Sequence, residues 1–152
     1  TISATINTNN SQKKRMLKKI LKLMKNEVEG KKIAVLGLSF KPNTDDIRES
    51  PSQFLISNLI NLKAQINSYD PIANSNFKEL YPDINYFENW KDCVSGADAC
   101  IIMTEWNEFR GIDLDELKLL LKTPILLDAK NIFSIEKLKS LEFKYDNVGR
   151  NF

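Results

Sequence analysis

Residues 33–51 read IAVLGLSFKPNTDDIRESP, and this stretch decides the fold. The apolar run Ile33 to Leu36 has the length of a buried strand and enters a tight turn at Gly37. Lys41 follows, then Asp45, Asp46 and Arg48, and then Ser50-Pro51. Ser50 suits a helix N-cap and Pro51 the first helical position, and Gln53 would complete a capping box with Ser50. A buried strand thus delivers charged groups to one sheet edge, and a helix starts directly after. That is how α/β proteins build a crevice for an anionic ligand.

Working outward, the same alternation runs along the chain. KKIAVLGL (31–38) is a strand and 51–62 a helix; AQINSYDP (64–71) is a second strand, ending at Asp70-Pro71. A short helix over 73–80, a strand INYF (84–87) and a helix over 88–94 stopped by Gly96 come next. ADACIIMT (97–104) is an apolar run of strand length, 113–121 a helix capped by Asp113, and 125–128 a fifth strand. A helix over 134–140 and a strand over 143–145 complete the series. Alternating strands and helices with short connections mean βαβ units with right-handed crossovers. The fold expected is α/β, a Rossmann-like doubly wound parallel sheet of about six strands preceded by one long helix. That helix is read over 11–28, where Met16, Leu17, Ile20, Leu21, Met24 and Val28 share a face and lysines cover the other. Asn10 or Ser11 would cap it and Gly30 end it; residues 1–10 alone read as a frayed arm.

Length and composition bound the function. The chain has 152 residues, 42% of them hydrophobic, which fits one ordinary domain with a real core. A net charge of +2 gives no bulk electrostatic case for nucleic acid or a membrane surface. No apolar run reaches the roughly 20 residues of a membrane span. The first residue is Thr1, so an excised piece of a longer protein is expected. Cys93 and Cys100 are the two cysteines, a usage that fits a reducing, cytoplasmic setting. Histidine is absent, which removes Ser-His-Asp and Cys-His catalysis and argues against zinc; no metal site is expected.

Several residues could carry chemistry. A dinucleotide fingerprint needs three glycines, and only Gly37 stands here. Lys41 and Arg48 offer a point donor and a fork suited to phosphate, or simply pair with Asp45, Asp46 and Glu49 on a solvated loop. Lys130 follows the fifth strand on the edge that carries Lys41, and two lysines converging there would suit a diphosphate. Asp70 closes the second strand, where dinucleotide folds often place a ribose-binding acid; as Asp70-Pro71 it reads better as a turn. Asp98, Glu105 and Asp128 lie near strand ends and fit capping and turns better than acid-base work. Cys93 and Cys100 fit inert core positions. The basic face of helix 11–25 lacks the interleaved aromatics of a base-stacking surface.

GLSFKPNTDDIRESPS, YDPIA, ADACIIMTEWNEFR, PILLDAKNIF and YDNVGR follow one another in order. Together they resemble the C-terminal, UDP-binding domain of the UDP-glucose/GDP-mannose dehydrogenase family, in its UDP-glucose 6-dehydrogenase branch. The likeness runs from about Asn9 to Arg150, and NTNNSQKKRM (7–16) is similar to the end of that family's central helix. The resemblance implies two parts, residues 1–29 from a central dimerisation helix and 30–152 as a UDP-binding Rossmann-like domain. It implies NAD as cofactor, held mainly by an N-terminal domain outside this chain, and UDP-glucose and UDP-glucuronate as substrate and product. It implies a homodimer through residues 5–25. By position, Phe40, Lys41 and Lys130 would bind substrate and Arg48 would reach the NAD. The family usually has Asp-Gly-Arg-Asn where this chain has Asp128-Ala129-Lys130-Asn131. Lysine there keeps the charge and loses the fork. The family's Cys-Phe-Pro motif, which carries its catalytic cysteine, does not occur, so the chain holds no catalytic residue and is expected to be inactive alone. The alternatives are the same superfamily acting on a UDP-N-acetylhexosamine or GDP-mannose, or a non-catalytic nucleotide-sugar-binding or dimerisation module.

Overall fold

The computed structural model describes the backbone over residues 2–148 and the side chains over residues 11–148. Helix α1 (Ile2–Leu23) precedes strand β1 (Lys32–Leu36), helix α2 (Pro51–Asn61) and strand β2 (Gln65–Tyr69). Helix α3 (Asn74–Leu80), strand β3 (Asn85–Tyr86), helix α4 (Trp90–Val94) and strand β4 (Ala99–Ile102) follow. Helices α5 (Asn107–Arg110) and α6 (Leu114–Leu120), strand β5 (Ile125–Asp128), helix α7 (Ile135–Ser140) and strand β6 (Lys144–Asn147) complete the order. The sheet has six strands in the order β3-β2-β1-β4-β5-β6, and every neighbouring pair is parallel. The chain winds one way from β1 through β3 and the other way from β4 through β6. The doubly wound sheet read from the sequence is the architecture found.

Strand alternation divides the core into two layers. Ile33 and Val35 of β1 face the layer that holds Met16, Ile20 and Leu23 of α1, Leu55 and Leu59 of α2, and Phe77 of α3. Ala34 and Leu36 face the layer of Trp90, Cys93, Phe109, Leu117 and Leu138. Ile33 through Leu36 are fully buried, so the central strand meets helices on both faces. Burying one large aliphatic side chain contributes roughly 2 kcal/mol.

The ends of α1 differ from the expectation. Its backbone is helical from Ile2, so residues 2–10 continue the helix instead of fraying, and Asn10 and Ser11 lie inside it rather than at its cap. Adding turns to a packed helix costs less than nucleating one, which outweighs the weak propensity of Thr and Asn. The helix stops at Leu23, short of Val28. Lys25 and Asn26 take left-handed φ values of 55° and 60°, and the Asn26 N–H closes back on Leu21 O at 2.8 Å. Gly30 belongs to the next turn, where its N–H donates to Lys63 O.

The start of α2 holds a second correction. Ser50 caps it through its side chain, which accepts from the Ser52 N–H. The reciprocal half of the capping box does not form. The Ser50 N–H donates to Ile47 O, and Gln53 Nε2 donates to that same carbonyl at 2.7 Å. Helix α4 begins at Trp90 under an Asn89 cap, two residues later than read, and β3 keeps only two of its four expected residues. Helix α5 was not anticipated.

Candidate functional site: the carboxyl edge at the strand-order reversal

Strands β1 and β4 lie side by side, yet their connections leave in opposite directions. The connections that leave their carboxyl ends therefore diverge, which is where a doubly wound sheet forms its crevice. Gly37, with φ 106°, makes the turn that leaves β1. A Cβ at this position would lie 2.4 Å from Thr104 Oγ1 and 2.7 Å from Thr104 N, so glycine is required for the approach of β1 to the end of β4. Thr104 Oγ1 in turn donates to Ser39 O at 3.3 Å, tying the two loops together.

Beyond Gly37 the chain makes a closed excursion before α2. Ser39 Oγ donates to Lys41 O at 2.9 Å, and the Phe40 N–H donates to Asp46 O at 2.7 Å. These bonds hold Phe40 and Lys41 outward at the rim. Phe40 is 49% exposed, unusual for a phenyl ring, and Lys41 is also exposed. Ile47 turns inward and anchors the loop to the core.

Arg48 is engaged within its own loop. Its Nε donates to Asp46 Oδ1 at 3.0 Å and its Nη2 to Asp46 Oδ2 at 2.9 Å, a fork with the guanidinium side chain 88% exposed. Hydrogen bonds from the Arg48 side chain, and then from its backbone N–H, hold the Asp46 carboxyl down to about 2. Of the acids weighed as partners for Arg48, Asp46 is the one so placed. An open concavity of about 300 Å³ borders Phe40, Asp46, Arg48 and Glu49. A larger one of about 570 Å³ lies between Asp45–Arg48 and the α3 residues Asn76, Glu79 and Leu80.

The loop after β5 presents Lys130 on the same edge. Asp128 is fully buried; its Oδ1 accepts from the Lys130 N–H at 3.2 Å and its Oδ2 from the Phe133 N–H at 3.0 Å. Lys130 Nζ pairs with Glu105 Oε2 at 3.5 Å, joining the loops after β4 and β5. Lys41, Glu105 and Lys130 therefore follow three adjacent strands at one edge. Asp98 belongs to the opposite edge, where its Oδ2 accepts from the Lys32 N–H at 2.9 Å. Cys93 and Cys100 are fully buried, and desolvation pushes both thiols up, which removes them as nucleophiles. Among the described residues no group of three or more His, Cys, Asp or Glu could hold a metal ion.

Two features of this edge escaped the sequence reading. Asp70 does make the turn expected of it, with Oδ1 accepting from the Ile72 and Ala73 N–H groups at 3.0 and 2.9 Å. Its Oδ2 also accepts from the Leu38 and Ser39 N–H groups at 2.8 and 3.0 Å, across the sheet edge. The Tyr-Asp-Pro sequence signalled the turn; nothing local signalled the second pair. The other feature is Tyr69, whose hydroxyl donates to Glu108 at 2.8 Å while its ring meets Phe109 edge-on at 6.0 Å. Burial, and then the Glu108 bond, raise the Tyr69 hydroxyl.

The residues here do not fit a dinucleotide in the usual manner. The amides that follow β1 already have an acceptor, and Gly37 is used for strand packing. What the edge does offer is exposed cations on a doubly wound sheet, the class of α/β domain that receives ligands beyond its strand ends, here without a dinucleotide loop. Comparison with known proteins makes the class specific. Residues 34–135 match the model of the UDP-glucose/GDP-mannose dehydrogenase family, UDP binding domain, and the chain belongs to that family. It is 38% identical over 149 residues to a UDP-glucose 6-dehydrogenase of Rhizobium meliloti, covering 98% of this chain and 34% of that protein. It is 37% identical over 150 residues to the UDP-glucose 6-dehydrogenase TuaD of Bacillus subtilis, covering 98% of this chain and 32% of that one. A solved UDP-glucose dehydrogenase from Pyrobaculum islandicum superposes with a TM-score of 0.80 at 25% identity, over 98% of this chain and 32% of that chain. The chain thus spans about a third of the length of the curated relatives it matches.

Proposed function

We propose that this chain is the UDP-sugar-binding part of an NAD-dependent UDP-glucose 6-dehydrogenase. The observation that carries the reading is the family match over residues 34–135, laid on a sheet edge that presents Lys41 and Lys130. The reaction oxidises the sugar C6 alcohol to an aldehyde and then, with water, to UDP-glucuronate. NAD accepts one hydride in each step and is held mainly by a domain outside this chain. Within the chain, Lys41 and Lys130 meet the diphosphate as point charges and Phe40 packs against the substrate. Arg48 would hold the cofactor side of the site, where its fork, released from Asp46, would suit an anionic group of NAD. The first part, residues 1–29 and with it helix α1 (Ile2–Leu23), belongs to a central dimerisation element that pairs with a second copy, and residues 30–152 belong to the UDP-binding domain. No helix among the described residues is long and apolar enough to cross a membrane; a cytoplasmic setting is part of the proposal.

Calorimetry with UDP and UDP-glucose tests the binding role on the chain, and NADH formation tests the activity on the full-length protein that carries it. Binding of both ligands, weakened about tenfold in Lys41→Ala, is the expected result. Unchanged affinity and turnover in Lys41→Ala would remove that lysine from the site. The family description also names GDP-mannose. A substrate panel that adds GDP-mannose and a UDP-N-acetylhexosamine identifies the sugar, and better turnover of either displaces UDP-glucose.

A further inference from the structure

In a dinucleotide fold the backbone N–H groups after the first strand, with the N-terminus of the next helix, receive a phosphate. Here both receivers are filled by the chain itself. The N–H groups of Leu38 and Ser39 converge on one atom, Asp70 Oδ2, at 2.8 and 3.0 Å. Leu38, Ser39 and Asp70 are 0%, 1% and 2% exposed, so solvent does not compete for these bonds. The other oxygen, Oδ1, is committed to Ile72 and Ala73. The N-terminus of α2 is closed as well. Ser50 Oγ accepts from the Ser52 N–H at 3.3 Å, and Ser52 Oγ donates to Gly37 O at 2.7 Å. Ser50 and Ser52 are each 1% exposed.

We infer that Asp70 is a specificity-determining residue: its carboxylate occupies the position a dinucleotide pyrophosphate takes in related folds, and shuts this crevice to phosphate binding through backbone amides. A phosphate oxygen arriving there meets an acceptor where it needs a donor. A nucleotide diphosphate is left with the side-chain cations of the rim, Lys41 and Lys130, as its partners. The ligand in this statement rests on the proposed function; the exclusion rests on the Asp70 geometry alone. The arrangement accounts for how a doubly wound sheet can work beside a dinucleotide-binding domain without competing for its cofactor.

Amide NMR on the 152-residue chain tests this, using wild type and Asp70→Ser titrated with inorganic pyrophosphate and with UDP against sodium chloride of equal ionic strength. Serine keeps an oxygen for the Ile72 and Ala73 turn and is too short to reach Leu38. In wild type, pyrophosphate does not shift the Leu38 and Ser39 amides saturably. In Asp70→Ser, pyrophosphate shifts both amides saturably and raises the thermal midpoint. Saturable movement of both amides by pyrophosphate in wild type overturns the inference, as does a lack of saturable response in Asp70→Ser. If that variant is unfolded, recovery of its folded spectrum on refolding with pyrophosphate supports the inference, and no recovery overturns it. The same spectra report UDP at Lys41 and Lys130. Silence there counts against the proposed function and leaves the Leu38 and Ser39 result standing.

Discussion

Gly37 lies so close to Thr104 that a Cβ added to it would fall 2.6 Å from the threonine Cβ and 2.7 Å from its backbone nitrogen. The two strand ends that frame the crevice therefore touch almost backbone to backbone. Gly37→Ala must relieve a clash with main chain and also hold alanine at φ 106°. Overpacking and left-handed strain together cost on the order of 3 kcal/mol. A urea melt of Gly37→Ala should show a clearly lowered midpoint; a midpoint equal to wild type would mean that the loops can part freely.

Lys41→Ala and Lys130→Ala are each expected to weaken UDP binding about tenfold, the scale of one lost charge-assisted contact, while leaving the fold intact. Lys130→Arg should bind UDP more tightly than wild type, because the fork can bridge two oxygens where the ammonium meets one. Calorimetry reads all three. Equal affinity in Lys130→Ala and wild type would leave that lysine as nothing more than the partner of Glu105.

The Asp46 carboxyl should titrate near 2, well below the ordinary value of 3.8. Its folded value is the lower one, so any stability it contributes is present above the unfolded value and lost as pH falls toward 2. Solvent around the pair, and above all around Arg48, keeps that contribution small. NMR titration of Asp46 is the direct measurement. Arg48→Ala should raise the carboxyl toward the ordinary range, the backbone N–H bond at position 48 remaining, with no visible change in the melt at neutral pH, and a titration unmoved by that substitution would sink the assignment.

Cys93 and Cys100 should be silent toward a thiol reagent at pH 8 in the folded chain. Burial raises both thiols and also blocks approach. Both should react once denaturant is added. Prompt labelling of either in the native state would require an opening that the buried positions in α4 and β4 do not provide.

Removing the cap of α2 should cost about 1 kcal/mol in Ser50→Ala. Gln53→Ala tests a separate point, since Gln53 serves Ile47 O and not the Ser50 N–H. Its loss should loosen the loop that carries Arg48 and leave the helix start unchanged, which hydrogen exchange at Ile47–Ser52 can resolve.

What the sequence made legible follows the range of the interactions involved. The runs Ile33–Leu36 and Ala99–Ile102 announce strands because both faces of each strand are buried and every residue is apolar. The rim positions of Lys41 and Lys130 were readable once the strands were in place, because a parallel sheet brings all its strand ends to one edge, whereas Phe40 was singled out by the resemblance alone. Helix α5 was missed because four residues between Trp106 and Gly111 show no period. The end of α1 was overrun because Val28 continues the apolar spacing, whereas Lys25 and Asn26 turn left-handed without a glycine to signal it. Asp70 was half read. Its local bonds are written in Tyr-Asp-Pro, while its bonds to Leu38 and Ser39 depend on two neighbouring strands ending level with each other. Arg48 was read as a choice between a ligand and a neighbouring acid, and in this chain the fork with Asp46 is made.

The pairing of β1 with β4 also sets the order in which the molecule can be made. Leu36 lies beside Ile102, and the segment between them carries α2, β2, α3, β3 and α4. Bringing together positions so far apart is paid in loop entropy before any contact rewards it, so a fold of this topology is slow compared with helical bundles. The crevice has no counterpart in a shorter chain. A nascent polypeptide released before Ala99 has its central strand bare on one side, and the wall that Thr104 gives to Gly37 does not yet exist. The edge that carries both Lys41 and Lys130 is complete only after the fifth strand has left the ribosome.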